Sequence, residues 1–168
     1  MDPRQLRQFF DYVDTDRSGK ISAVELHKAL TQAGMDVTLE NAASLIRMHD
    51  ATRDGECNFD EFVQVHMFIT SVQQSFLVVD ADRNGWLDQN EVRRALEMNQ
   101  FHMDEPAFQQ CFRSFDPDNN KHLSMSEYLA LACFLAFSRS VFTAFDPHRS
   151  GTVHLTQSQF FYAAALLR

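Results

Sequence analysis

Residues 14–25 read DTDRSGKISAVE and residues 80–91 read DADRNGWLDQNE. Both segments carry oxygen-bearing side chains at their positions 1, 3, 5 and 12, and both carry glycine at position 6. Calcium is a hard cation that takes about six to eight oxygen ligands, and this order supplies them, with the backbone carbonyl of position 7. Glycine permits the left-handed turn that folds the segment back on itself, because it has no Cβ. Both segments therefore match the EF-hand loop at every diagnostic position.

These two segments, named loop 1 and loop 3, are predicted to be the main calcium sites. The glutamate at position 12 is expected to bind with both carboxylate oxygens. Complete ligand sets between helical flanks disfavour the alternative of acidic turns that match by chance. The predicted ligands are Asp14, Asp16, Ser18, Lys20 (carbonyl) and Glu25 in loop 1, and Asp80, Asp82, Asn84, Trp86 (carbonyl) and Glu91 in loop 3.

Two further copies, loop 2 (residues 50–61) and loop 4 (residues 116–127), depart from the pattern. Thr52 puts a neutral hydroxyl at position 3 of loop 2, so this loop is expected to bind calcium more weakly, if at all. Lys121 stands at the turn of loop 4, where left-handed geometry costs a side chain roughly 1 kcal/mol, and binding there is left open. The weaker candidate ligands are Asp50, Thr52, Asp54, Glu56 and Glu61 in loop 2, and Asp116, Asp118, Asn120, His122 and Glu127 in loop 4.

Loop 5 (residues 146–157) retains one carboxylate, Asp146, and ends in Gln157. A neutral amide cannot supply bidentate anionic coordination. His148 and His154 hint at a transition metal, since imidazole suits zinc or copper. A metal-free structural loop is the favoured interpretation.

The loops begin at residues 14, 50, 80, 116 and 146, so their spacing alternates between 36 and 30 residues. Residues 62–79 and 128–145 contain neither Gly nor Pro. Each stretch is therefore predicted to form one continuous helix of about 27 Å, shared by two hands. In the longer intervals, Gly34 and Pro106 mark breaks between a leaving and an entering helix. The predicted fold is all-α, with five helix-loop-helix units in a single domain over residues 1–168.

The helices that enter the loops carry apolar faces. Residues three or four apart lie on one side of a helix, and large apolar side chains follow this spacing before several loops. The clearest sets are Leu6, Phe9, Phe10 and Val13; Phe76 and Val79; Phe112 and Phe115; and Phe142 and Phe145. These side chains are expected to be core residues.

Two features predict how the hands associate. Position 8 is apolar in every loop, which suits a short β pairing between neighbouring loops; these residues are Ile21, Cys57, Leu87, Leu123 and Val153. The chain also closes with an apolar segment, residues 160–167, on the one hand that has no sixth partner. A symmetric dimer would cover it, and the alternative is that this helix folds back on its own domain.

Composition narrows the function classes. The net charge is −8, but 16 of the 23 acidic residues lie inside the loops, and there is no basic stripe for nucleic acid. Three cysteines without a paired motif indicate a reducing compartment, and we expect a cytoplasmic protein without a secretory signal or membrane-spanning segment. Seven histidines and the cysteines form no recognisable catalytic or zinc constellation, so we do not expect an enzyme.

The five hands, their alternating spacing and the degenerate last loop resemble the penta-EF-hand family, whose members include sorcin, grancalcin, peflin and the calpain small subunit. The segments VDTDRSGKISAVEL (residues 13–26) and FDEFVQVHMFITSVQQSFLVVDADRNGWLDQNEV (residues 59–92) are most similar to its apoptosis-linked branch. In this family loop 5 is often two residues longer, which would move its last ligand position from Gln157 to Gln159.

The resemblance implies a calcium-responsive adaptor that dimerises through its fifth hand and engages protein targets or, peripherally, membranes. Membrane contact in the family is helped by a Gly- and Pro-rich N-terminal extension, which this sequence lacks. The leading hypothesis is a calcium sensor. The alternatives are a regulatory subunit of a heterodimeric enzyme, such as a calpain-like protease, and a passive calcium buffer.

Overall fold

The computed structural model describes residues 2–166, and this range contains eight helices and no extended strand. The helices are α1 (Pro3–Val13), α2 (Ala23–Gln32), α3 (Leu39–His49), α4 (Phe59–Val79), α5 (Gln89–Met98), α6 (Glu105–Ser114), α7 (Met125–Phe145) and α8 (Gln157–Leu166). Each of the five predicted loops connects two helices, and each helix-loop-helix unit is one hand. The all-α, five-hand fold is thereby confirmed.

The two long helices are α4 and α7, each of 21 residues. Helix α4 leaves loop 2 and enters loop 3, and α7 leaves loop 4 and enters loop 5, as the alternating spacing predicts. The longer intervals are broken where expected. Gly34 follows α2 with a φ of +82°, and Asp104 caps α6, which has Pro106 in its first turn.

Residues at the ends of the loops start the helices that leave them. Ser22, Asn58 and Asp88, at position 9 of loops 1 to 3, are the N-caps of α2, α4 and α5. Each forms a capping box with the glutamate three residues later, which is position 12 of the loop. Such a box satisfies backbone N–H groups that have no partner within the helix. The loop's last ligand thus belongs to the first turn of the next helix.

The chain divides into two compact units, Met1–Leu131 and Ala132–Arg168, and the boundary falls within α7. In the first unit, α1 packs against α2 and α4, while α4 also packs against α3 and α5. The Phe10 ring is fully buried and meets Phe59 and Phe62 edge-on, with ring centroids 5.5 Å apart in both pairs. The assignment of residues 1–168 to one domain stays a prediction.

The loops of the first unit pair through their position 8. Ile21 and Cys57 exchange two backbone hydrogen bonds of 2.8 and 2.9 Å, and Leu87 and Leu123 exchange two of 2.8 Å. All four residues are buried. The predicted pairing of loop 1 with loop 2 and of loop 3 with loop 4 is confirmed. Within residues 2–166, no bridge involves Val153 of loop 5.

The second unit holds the rest of α7, loop 5 and α8. Phe145 meets Tyr162 of α8 with ring centroids 6.5 Å apart. The expectation that Phe142 is a core residue was wrong, because its side chain is 41% exposed. None of the ten residues described in α8 is buried. Leu167, the last residue of the apolar C-terminal segment, lies outside the described residues.

Two helices also have the length and composition of a membrane span, with mean hydropathies of 1.3 for α4 and 1.6 for α7. Length and composition alone do not overturn the expectation of no membrane-spanning segment, because a helix in a protein core meets the same two criteria. In α4 the physical reason for the apolar composition is its position among other helices. Phe62, Val65, Ile69 and Phe76 are buried on this helix, which packs against α1, α3 and α5. A helix that serves two hands needs apolar residues along its whole length.

Candidate calcium sites

The aspartate at position 1 closes every loop in the same way. In loop 1, the backbone N–H of Ser18 donates to Asp14 Oδ1 at 2.9 Å, and that of Gly19 donates to Oδ2 at 2.8 Å. The corresponding backbone N–H groups of the other four loops donate to Asp50, Asp80, Asp116 and Asp146. Charge-assisted bonds of this kind are stronger than neutral ones. The carboxylate at position 1 of each loop is therefore oriented by the turn that follows it.

The glutamate at position 12 ties the end of the loop to its beginning. Glu25 Oε2 accepts from the backbone N–H and hydroxyl of Ser22 at 2.9 and 2.8 Å. Its Oε1 accepts from the backbone N–H and hydroxyl of Thr15, both at 2.9 Å. Burial alone raises the pKa of Glu25, but the hydrogen bonds from Ser22 and Thr15 outweigh it and lower the pKa to about 2. The carboxylate is therefore fully ionised at neutral pH, as a calcium ligand must be.

Three loops bring three carboxylates together, with one ligand oxygen of each residue within 4.8 Å of the others. Like charges at this distance repel one another, and buried carboxylates are costly without a compensating cation. An all-oxygen donor set of this charge suits a hard divalent cation such as calcium. The three groups are Asp14, Asp16 and Glu25; Asp80, Asp82 and Glu91; and Asp116, Asp118 and Glu127.

Positions 5 and 7 complete loops 1 and 3. The hydroxyl of Ser18 donates to the carbonyl oxygen of Lys20 at 3.0 Å, which brings the expected ligands of positions 5 and 7 together. In loop 3, the amide of Asn84 donates to Asp82 Oδ2 at 2.8 Å and accepts from the backbone N–H of Trp86 at 2.7 Å. The structure thus assembles the predicted side-chain ligands of both loops.

Loop 4 is assembled like loop 3 despite its lysine. Asn120 donates to Asp118 Oδ2 and accepts from the backbone N–H of His122, both at 2.7 Å. Lys121 adopts the left-handed conformation with a φ of +68°. The strain expected at this position is therefore present, but it does not prevent the carboxylates from converging.

Loop 2 is different, because its carboxylates are not among the converging groups found in residues 2–166. The hydroxyl of Thr52 lies 3.2 Å from Asp50 Oδ1, 3.0 Å from Asp54 Oδ2 and 3.2 Å from Glu61 Oε1. It lies where a third carboxylate would stand in loops 1 and 3. Three carboxylates of loop 2 therefore surround a neutral hydroxyl and do not form the close anionic group seen in loops 1, 3 and 4.

Loop 5 ends two residues later than the simple repeat implies. The oxygen Oε1 of Gln159 accepts from the backbone N–H and hydroxyl of Thr156 at 2.9 and 3.1 Å, as Glu25 accepts from Ser22 in loop 1. Gln157 is the first residue of α8. Gln159 therefore has the structural role of position 12. His148 and His154 are exposed, and neither belongs to a metal-binding group within the described part of the chain.

Position 4 of the loops is a feature that the sequence analysis missed. In every loop this residue is left-handed without being glycine, with φ between 53° and 59°; the five are Arg17, Arg53, Arg83, Asn119 and Arg149. Non-glycine residues with positive φ are uncommon. The signal available in the sequence was arginine at the same place in four of the five repeats.

Replacing a position-12 carboxylate should weaken calcium binding at its own loop. Glu25→Gln and Glu91→Gln each remove one negative charge from a ligand group, and we expect the affinity of the altered loop to fall about tenfold or more. Calorimetric titration with calcium measures this, with Glu97→Gln on the exposed side of α5 as the control. Unchanged affinity in both loop variants would contradict the assigned sites.

The turn of loop 4 is expected to gain from glycine. Lys121→Gly removes a strained left-handed side chain, so the free energy of unfolding in saturating calcium should rise by up to about 1 kcal/mol. The converse variant Gly85→Lys should lower it by about 1 kcal/mol or more, because Gly85 has a φ of +81°. Urea unfolding measures both. Equal destabilisation by the two substitutions would count against the strain at Lys121.

Comparison with known proteins agrees with these loops. Residues 3–66 and 69–133 match the family model of the EF-hand domain pair. The chain is 32% identical to penta-EF hand domain-containing protein 2 of Dictyostelium discoideum, covering 97% of this chain and 78% of that protein. It is 26% identical to human sorcin, and the match covers 86% of this chain and 74% of sorcin.

A solved structure gives the same result. It is that of a homolog of programmed cell death 6 protein from Leishmania major, which is 37% identical to this chain and superposes with a TM-score of 0.75. The superposition covers 97% of this chain and 94% of the Leishmania chain. The loop geometry, the matching family model and the relatives identify calcium as the cofactor. The chain belongs to the penta-EF-hand family of calcium-binding proteins.

Proposed function

We propose that this protein is a calcium sensor and adaptor: calcium at loops 1 and 3 reorients the helices joined to them and exposes an apolar surface to a protein target. The observation that carries the proposal is the double role of position 12. Glu25 and Glu91 are the expected position-12 ligands of the ion, and they also belong to the first turns of α2 and α5. A shift of either carboxylate toward calcium therefore moves a helix end directly. Sensor EF-hands respond to calcium by uncovering apolar surface in this way.

The first unit already has an apolar cleft that such a movement would widen. It has a volume of about 190 Å³ and lies among α1, α2 and α4. Its lining includes Phe9, Val13, Leu30, Phe62 and Ile69. Apolar clefts of this kind between helices accept the apolar face of a partner peptide. This surface supports a protein target in preference to a small polar ligand.

Calcium should increase the apolar surface that a fluorescent dye such as ANS reports. We expect a clear rise in dye fluorescence for the wild type on adding calcium, little rise in Glu25→Gln/Glu91→Gln, and a normal rise in Glu97→Gln. Magnesium at the same ionic strength is the matched control for charge screening. Calcium binding by calorimetry without any change in dye signal would refute the sensor and favour a passive buffer.

We further propose that the fifth hand mediates dimerisation. Helix α8 leaves Phe160, Phe161 and Tyr162 exposed, at 59%, 59% and 63%. Single exposed apolar residues are ordinary, but adjacent large ones mark an interaction surface. Loop 5 also contains no bridge within residues 2–166, unlike the four loops before it. A second copy of the fifth hand, or that of a partner enzyme subunit, would satisfy both features.

Sedimentation equilibrium on the isolated chain distinguishes these partners. We expect a homodimer that Phe160→Asp/Tyr162→Asp converts to a monomer, since each substitution puts a charge into the contact. Leu77→Asp, at another exposed apolar residue on α4, should remain dimeric. A wild-type chain that is monomeric at micromolar concentration would argue against the homodimer and favour the regulatory-subunit alternative.

The proposed location is the cytoplasm. Cys57, Cys111 and Cys133 are free thiols, and burial raises the pKa of Cys57 and of Cys133 to about 12. Thiols of this kind are unreactive and suit a reducing compartment. The expected role is that of a binding protein and not of an enzyme. Peripheral membrane association stays a prediction.

A further inference from the structure

Lys20 connects the first two loops through its side chain. It is position 7 of loop 1 and directly precedes Ile21, which pairs with Cys57 of loop 2. Its Nζ lies 2.9 Å from Asp54 Oδ2 and 3.8 Å from Glu56 Oε2, and both acceptors belong to loop 2. Because the bridge fixes the two loops side by side at this point, the lysine stem needs only to reach across the pair. Asp54 is position 5 of loop 2, one of its expected ligands.

The acceptor oxygen of Asp54 has two donors in this arrangement. Asp54 Oδ2 receives the ammonium group of Lys20 at 2.9 Å and the hydroxyl of Thr52 at 3.0 Å. Calcium at this oxygen would have to compete with both donors. The ammonium group would also lie close to the ion, and two cations at such a distance repel each other.

We propose that Lys20 acts as the built-in cation of loop 2: its ammonium group takes the place of calcium at Asp54, so that loop 2 stays closed without an ion and the first pair of hands binds calcium at loop 1 alone. The hydroxyl of Thr52 complements Lys20 inside the loop, because its single proton can be donated to any one of the three carboxylate oxygens around it. Lys20 then serves both loops of the pair, with its carbonyl directed into loop 1 and its ammonium group into loop 2. The inference goes beyond the proposed sensor, because it assigns the number of ions to the first pair of hands.

The second pair of hands provides an internal comparison. The residue that corresponds to Lys20 in loop 3 is Trp86, which carries no charge. In loop 4, Asn120 occupies the position of Asp54 and bonds within its own loop to Asp118 and His122. The carboxylates of loop 4 form one of the close groups found in residues 2–166, whereas those of loop 2 lie around the Thr52 hydroxyl and form no such group. The ammonium group of Lys20 thus reaches the one loop of the first four whose carboxylates form no close group within residues 2–166.

The first test counts the sites in the intact chain. Calorimetric titration of the wild type and of Glu61→Gln should give the same number of sites at micromolar calcium, whereas Glu25→Gln should lose one. Circular dichroism confirms that each variant keeps its helices. Loss of one micromolar site in Glu61→Gln would overturn the proposal, because loop 2 would then bind calcium with Lys20 in place.

The second test isolates the ammonium group. Thr52→Asp supplies the missing carboxylate and should create a weak additional site, which Glu61→Gln then removes. Adding Lys20→Met should strengthen this new site about two- to fivefold, the effect of removing an exposed ion pair. The gain should shrink in about 1 M salt, where charges are screened within about 3 Å.

Two matched variants control for charge and shape in the Thr52→Asp background. Lys20→Arg keeps the charge and should leave the affinity of the new site low. Lys28→Met removes a lysine from α2 and should have no effect on it. If Lys20→Met fails to strengthen the new site, or if Lys28→Met strengthens it equally, Lys20 is not the cation of loop 2. The sensor proposal would survive that result, because its dye signal depends on loops 1 and 3.

Discussion

The twelfth residue of each loop is the constraint on which the rest of the structure depends. In loops 1 to 4 it is a glutamate that accepts hydrogen bonds from the start or the end of its own loop and stands in the first turn of the helix that follows. One carboxylate therefore orders the loop, caps the helix and offers two oxygens to an ion. Where glutamine replaces it in loop 5, the cap survives through Gln159 but the anionic ligand is lost.

The bridges between loops turn single hands into pairs. Ile21 with Cys57, and Leu87 with Leu123, hold neighbouring loops side by side at buried positions. Helix α4 connects the first pair to loop 3. The fifth hand lacks this partner within residues 2–166, and its α8 presents aromatic residues to solvent. Loops 1 to 4 are paired, and the unpaired fifth hand leaves the surface that is proposed for dimerisation.

Features that depend on local chemistry were predictable from the sequence. The repeat of acidic ligands, the glycine turns and the absence of Gly and Pro in residues 62–79 and 128–145 were sufficient for the five loops and the two long helices. The cap at Asp104 follows from the same local rules, because its donor and acceptor lie within three residues of each other. The convergence of ligands in loops 1 and 3 follows from an intact twelve-residue pattern.

Features that depend on contacts between distant segments were not predictable. The ion pair of Lys20 with Asp54 spans 34 residues and exists only because the bridge aligns two loops. The exposure of Phe142 depends on which face of α7 finds a partner, and helical spacing alone does not decide that. The sequence leaves both Gln157 and Gln159 as candidates for the last position of loop 5. Only the hydrogen bonds from Thr156 to Gln159 distinguish the two.

The most direct test of the central claim is a crystal structure grown in millimolar calcium. We expect one ion in loop 1 and one in loop 3, each with oxygen ligands at about 2.3–2.6 Å, including both carboxylate oxygens of Glu25 or Glu91. Anomalous scattering would identify the ion. Well-ordered loops without ion density at either position would contradict the account.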